Sequence, residues 1–137
     1  YTLAFSLHAP NDAHRREIVP FPAAMNIAEI LDAARAYLAD KGREVTFEYV
    51  LLDGVNCSRE HAEELAWLMR GVRGTVNLIP FNAVPEQPFF RPADDHIDAF
   101  ADLLRMRGVK TTVRKRKGHD IAAACGQLRM RDIASKA

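Results

Sequence analysis

A chain of 137 residues is the size of one domain. Its 48% hydrophobic and 27% charged residues are the balance of a soluble globular fold, and a net charge of +1 excludes a strongly basic nucleic-acid binder. No apolar run is long enough for a membrane helix, and two cysteines, Cys57 and Cys125, are too few for a disulfide framework or an unaided iron–sulfur site.

The chain opens on "YTLAFSL" (1–7), short, apolar and rich in strand formers. It starts without methionine, as a segment of a longer protein does, and without a leader sequence, which points to the cytoplasm and reduced cysteines. "NDAHRREI" (11–18) predicts a short helix capped by Asn11. "NIAEILDAARAYLADKG" (26–42) predicts the clearest helix: Asn26 caps it, Ile27, Ile30, Leu31, Ala34, Tyr37 and Leu38 share a face, and Gly42 stops it. "EVTFEYVLL" (44–52) predicts a strand and "DGVN" (53–56) a turn, with Asp53 and Asn56 as plain turn residues. A helix over 58–71 has Ser58 as its cap and Ala62, Leu65, Ala66 and Met69 on one face. A strand follows at 75–81, then a proline-rich loop at 82–93. The third long helix covers 94–108, with acidic residues at its start, and a fourth strand covers 109–116.

Strands alternating with helices predict a parallel sheet with right-handed crossovers. Polar residues interrupt every strand, so one face packs on helices and the other lines a polar cavity. That is the inside of a partial α/β barrel of about four strands. Glu48 and Asn77 would face this cavity, being uncomfortable buried and unpaired, although solvent exposure is an equal alternative. His8, Asp53 and Asn82 fall at the carboxyl ends of strands, where parallel α/β folds place their ligands. The long connections at about 8–25 and 82–93 lie at the same edge.

Four blocks carry a resemblance: "FSLHAPNDAHRREIVPF" (5–21), "VTFEYVLLDGVNCS" (45–58), "VNLIPFNAVPEQPFFRP" (76–92) and "GHDIAAACGQLRMR" (118–131). In order and spacing they resemble the radical S-adenosylmethionine RNA methyltransferases of the RlmN and Cfr type, over nearly the whole chain. The first act on carbon 2 of an adenine in 23S rRNA and commonly on tRNA, the second on carbon 8. "DIAAACGQL" is closer to the carbon-2 enzymes. The family's three-cysteine loop for a [4Fe–4S] cluster is missing here, as are its amino-terminal accessory domain, resolving cysteine and general-base glutamate. The resemblance therefore implies that residues 1–137 are the carboxy-terminal part of such an enzyme, inactive alone.

By type alone, Cys125 among alanines is a small buried hydrophobe. The resemblance makes it the methyl carrier: it takes a methyl group from one S-adenosylmethionine, and a radical generated from a second activates that methyl for addition to adenine. Gly126 lets a bulky base approach the backbone. Ser6, Leu7 and His8, by the same resemblance, contact S-adenosylmethionine, as does Asn82; by type alone His8 is a loop histidine and Asn82 a turn residue. Arg114, Lys115, Arg116 and Lys117 read as a solvated basic run that could meet RNA phosphates beside the Cys125 loop, with Arg15 and Arg16 as weaker candidates. Cys57 is incidental, and Phe81, Phe89 and Phe90 are packing residues before they are base-stacking ones. A rival from another class is a non-catalytic α/β module that binds a small ligand at its strand ends. Part of a barrel exposes unpaired sheet edges, so the chain is expected to self-associate.

Overall fold

The computed structural model describes residues 3–18, 25–82, 85 and 88–114. The strands are β1 (Ala4–Ser6), β2 (Val45–Leu51), β3 (Gly74–Pro80) and β4 (Lys110–Val113); the helices are α1 (Asp12–Ile18), α2 (Ile27–Lys41), α3 (Arg59–Leu68) and α4 (Asp94–Met106). The strands form one parallel sheet in the order β1-β2-β3-β4. Strand order follows chain order, so every crossover steps the same way. Right-handed crossovers in one direction put successive helices on one face, the geometry of a barrel segment rather than a doubly wound sheet.

The caps chosen by the sequence hold. Asn26 Oδ1 accepts the Glu29 N–H at 2.8 Å while Glu29 accepts the Asn26 N–H at 2.9 Å, and Gly42 ends α2 at φ 67°. Ser58 Oγ accepts the His61 N–H at 3.1 Å, and His61 Nδ1 replaces the usual acid as the returning acceptor. Asn11 Oδ1 accepts from His14 N–H at 2.8 Å and starts α1. Ala93 gives α4 no side-chain cap, which leaves Asp94 and Asp95 to offset the helix dipole.

The period-two pattern of the strands sorts the two sheet faces. Phe47, Tyr49, Leu51, Val76 and Leu78 point to the helices and pack on Ile30 and Leu31 of α2, Leu65 of α3, and Ile97, Phe100 and Leu104 of α4. Tyr49 and Phe100 rings lie 5.5 Å apart. On the opposite face, Val50 and Ile79 join Ala9, Ile18, Leu52 and Phe81 in a second, smaller cluster. Ile18 thus brings α1 over the carboxyl end of this inner face. Phe89 packs edge-on to buried Phe81 at 6.0 Å, while Phe90 is exposed.

Element boundaries agree with expectation to within a few residues. The first strand stays within that margin. It ends at Ser6 because Leu7 makes the last bond, to the Glu48 carbonyl at 2.9 Å, before His8 turns the chain at φ 62°. The fourth strand ends at Val113, and positions after Arg114 lie outside the described residues.

Gly74 starts β3 where backbones come close. A Cβ there would stand 2.8 Å from the Val45 carbonyl oxygen and 2.9 Å from the Phe47 ring. Gly74→Ala should destabilise the fold by roughly 1–3 kcal/mol, read from urea unfolding. Unchanged stability would mean that β2 and β3 do not need this close approach.

Candidate functional site

Where β1 leaves the sheet, three consecutive carbonyls have no ladder partner among the described residues. Two side chains take them up. Arg15 donates from Nη2 to Ser6 O at 3.0 Å and from Nε to Leu7 O at 3.1 Å; Asn56 donates from Nδ2 to His8 O at 2.9 Å. Arg15 also donates from Nη1 to Met25 O at 2.6 Å, across the connection to α2. Asn56 does the same for the end of β2, donating to Val50 O at 2.7 Å and accepting the Leu52 N–H at 2.8 Å. Its own carbonyl accepts the Tyr49 hydroxyl at 2.6 Å. Asn56 is fully buried, so each of these bonds fills a need that water cannot meet.

His8 is part of the same network. Its Nδ1 accepts the Val50 N–H at 3.0 Å, so the neutral ring carries its proton on Nε2. That Nε2 is buried and has no partner among the described residues. Burial, reinforced by the Arg15 charge, pulls the His8 pKa down to about 3.

The inner face of the sheet carries a polar row. Register aligns Ser6, Glu48, Asn77 and Thr112 across the four strands. Thr112 Oγ1 donates to Asn77 Oδ1 at 3.0 Å, and Arg114 Nη2 lies 3.9 Å from Glu48 Oε2. Glu48 and Asn77 are therefore on the face turned away from α2, α3 and α4, as expected.

The sequence-predicted residues separate into groups. Ser6 and Asn82 are half-buried at the carboxyl ends of β1 and β3. Leu7 and His8 stand beside Ser6 but are wholly enclosed, and the His8 ring is committed to Val50. Arg114 sits on the inner face beside Glu48. Cys125, Lys115, Arg116 and Lys117 lie outside the described residues. Two readings need correction. Arg15 is no phosphate contact, because burial and three carbonyls use its guanidinium. Asn56 is no plain turn residue, since it joins β1 to β2. Neither role has a local signal, because both depend on partners brought close by the fold; for Asn56 the only hint is an amide, with donors and an acceptor, at a strand exit.

On the outside, a cavity of about 600 Å³ opens between α3 and α4, with Cys57, His61, His96, Phe100, Leu103 and Met106 among its lining. The Cys57 thiol donates to Leu52 O at 3.4 Å, and burial raises its pKa, which makes it a poor nucleophile. Among the described residues no three His, Cys, Asp or Glu side chains could hold a metal ion.

The His8 pKa gives a pH signature. Above pH 6.5 His8 is neutral in both folded and unfolded chains, and folding carries no protonation cost. Between 6.5 and about 3 the unfolded chain binds a proton that the folded chain excludes, so stability falls as pH falls. The His8 contribution is at most about 1.4 kcal/mol per pH unit. His8→Gln should flatten this part of the slope in urea unfolding between pH 7 and pH 5. An equal slope in both proteins would show that His8 is not held neutral.

Comparison with protein-family models gives no match. The chain is 48% identical over 129 residues to the probable dual-specificity RNA methyltransferase RlmN of Bacillus subtilis, and 50% identical over 129 residues to that of Synechococcus elongatus. Each alignment takes in 94% of this chain and 36% of the relative, so the chain spans about a third of the length of the curated relatives it matches. A solved radical SAM methyltransferase from Sphaerobacter thermophilus superposes with a TM-score of 0.83 at 53% identity, over 94% of this chain and 38% of that one. A domain of pyruvate-formate lyase-activating enzyme from Bacteroides vulgatus shares the fold, with a TM-score of 0.65 at 17% identity over 82% of this chain and 66% of that domain. Over nearly its whole length the chain is thus a homologue of part of the RlmN proteins and of a radical SAM methyltransferase.

Proposed function

We propose that residues 1–137 are the carboxy-terminal part of a cytoplasmic RNA methyltransferase that modifies carbon 2 of an adenine in 23S rRNA and in tRNA. The observation that carries this reading is identity near one half, over nine-tenths of the chain, to proteins named for RNA methylation. The polar row on the inner face supports it, since a parallel sheet of this kind places ligands at the carboxyl ends of its strands. No helix among the described residues is long and apolar enough to cross a membrane.

Two cofactors follow from the family, and the residues fit them differently. A [4Fe–4S] cluster does not fit: the chain has two cysteines, and Cys57 is half-buried and hydrogen-bonded. Its ligands belong elsewhere in the complete protein. S-adenosylmethionine does fit the carboxyl edge. Ser6 brings a hydroxyl and Asn82 an amide, both half-buried, and the unpartnered His8 Nε2 marks unfilled donor capacity in the same segment. Leu7 and His8 serve by shaping this edge, because their side chains are enclosed and their carbonyls are held by Arg15 and Asn56. Bound there, S-adenosylmethionine supplies the methyl group and the radical chemistry that a non-nucleophilic ring carbon demands.

Cys125 is the protein's own participant. Its thiolate would take the methyl group as the sulfonium S–CH3 bond of S-adenosylmethionine breaks and the neutral thioether departs, and the new S-methyl carbon would be open to hydrogen abstraction. Arg114, Lys115, Arg116 and Lys117 precede Cys125 in the sequence and suit RNA phosphates. In the complete protein, purified without oxygen, the peptide containing Cys125 should carry one extra methyl group by mass spectrometry. Cys125→Ala should abolish it together with RNA methylation. An unmodified cysteine in cluster-loaded protein supplied with S-adenosylmethionine would refute the assignment.

The isolated chain should also self-associate. Among the described residues, the outer edges of β1 and β4 have no strand partner. Sedimentation velocity should show species larger than a monomer, and a monodisperse monomer would remove this expectation.

A further inference from the structure

Helix α1 has seven residues, too short to be stable for its own sake. Its polar residues show what it is for. Asn11 donates to the Glu64 carboxylate at 3.2 Å, which fixes α1 to α3. Asp12 Oδ1 accepts the Ile27 N–H at 2.9 Å at the start of α2. One turn later, Arg15 reaches back to Ser6 O and Leu7 O and forward to Met25 O. The helix is therefore a clamp that sets the backbone at the end of β1 against α2 and α3.

Only a guanidinium can do this. Its planar fork carries five donors in fixed directions, and three separate nitrogens here serve three carbonyls. A lysine offers a single nitrogen, and no neutral side chain spans the distance with as many donors. Arg15 is also 8% exposed, so its donors are hidden from water and from an incoming RNA.

We propose that Arg15 is the positioning residue of the S-adenosylmethionine site: by holding the Ser6 and Leu7 carbonyls it fixes the segment that would receive the cofactor. This rests on the reading that Ser6–His8 is part of that site. Arg15 touches backbone only and acts through it. Its removal should weaken cofactor binding beyond what a general loss of stability would cause.

The test uses the complete, cluster-loaded protein under anaerobic conditions, with S-adenosylmethionine as the probe. Isothermal titration gives the Kd, thermal melting gives stability, and hydrogen exchange reports the Leu7 and His8 amides. Arg15→Met should raise Kd by about tenfold. Leu104→Ala, a core change in α4 on the other side of the sheet, should lower Tm comparably and leave Kd unchanged. Arg15→Lys keeps the charge but reaches one carbonyl, so its Kd should rise by about threefold; it carries the test if Arg15→Met does not fold. If the Arg15 variants bind as tightly as Leu104→Ala while S-adenosylmethionine still protects Leu7 and His8 from exchange, the positioning role is overturned and the site stands. If S-adenosylmethionine protects neither amide in the unsubstituted protein, the site itself falls, and the positioning role with it.

Discussion

Buried backbone carbonyls at the point where β1 diverges from β2 are the constraint on which this end of the molecule depends. A strand that leaves a sheet inside a protein must find new partners for its peptide groups, since a buried unpaired group costs about 1–3 kcal/mol. Here three carbonyls without a ladder partner follow one another, those of Leu7 and His8 fully enclosed, and Arg15 and Asn56 satisfy all three. Total stabilities of about 5–15 kcal/mol leave little room for three failures at one place. The turn at 53–56 exists in the form that delivers Asn56, and α1 in the form that delivers Arg15. The left-handed turn at His8, worth roughly 1–2 kcal/mol of strain, persists because the Leu7 and His8 carbonyls on either side of it are both held.

Much of the fold was legible in the sequence, and the reasons are local. Asn26, Gly42 and Ser58 act within their own turns of chain, so residue type and spacing suffice to identify them. The buried faces of α2 and α3 follow from helical period alone. The site was less legible because its parts act over distance. Arg15 reaches carbonyls eight, nine and ten residues away, and Asn56 reaches one 48 residues away. A basic residue in a polar stretch looks solvent-facing until the tertiary fold encloses it. His8 acts over distance as well. Its place at a strand end was correct, yet the ring faces Val50 rather than open space.

The two faces of the sheet have different jobs. The helical face holds the larger cluster, with Phe47, Tyr49, Leu65 and Leu104 enclosed, and supplies the stability. The inner face keeps Ser6, Glu48, Asn77 and Thr112 in one register row and contributes less apolar burial. Chemistry can change on the inner face at small cost to folding, because the residues that fold the chain point the other way. The bidentate pair between Arg107 and Glu63, at 2.8 Å for each bond, reinforces the same outer layer by joining α4 to α3.

The Arg15 contact to Ser6 reaches beyond the site. In a parallel ladder alternate residues face alternate neighbours, and Leu3 and Leu7 bond to β2. Ser6 therefore turns its carbonyl to the outer edge of β1, where Arg15 occupies it. A strand laid against that edge finds free pairing groups only before Ser6. The arginine is a bookend: it limits how far along β1 a neighbour can zip, and so sets the stagger between this segment and whatever strand comes beside it.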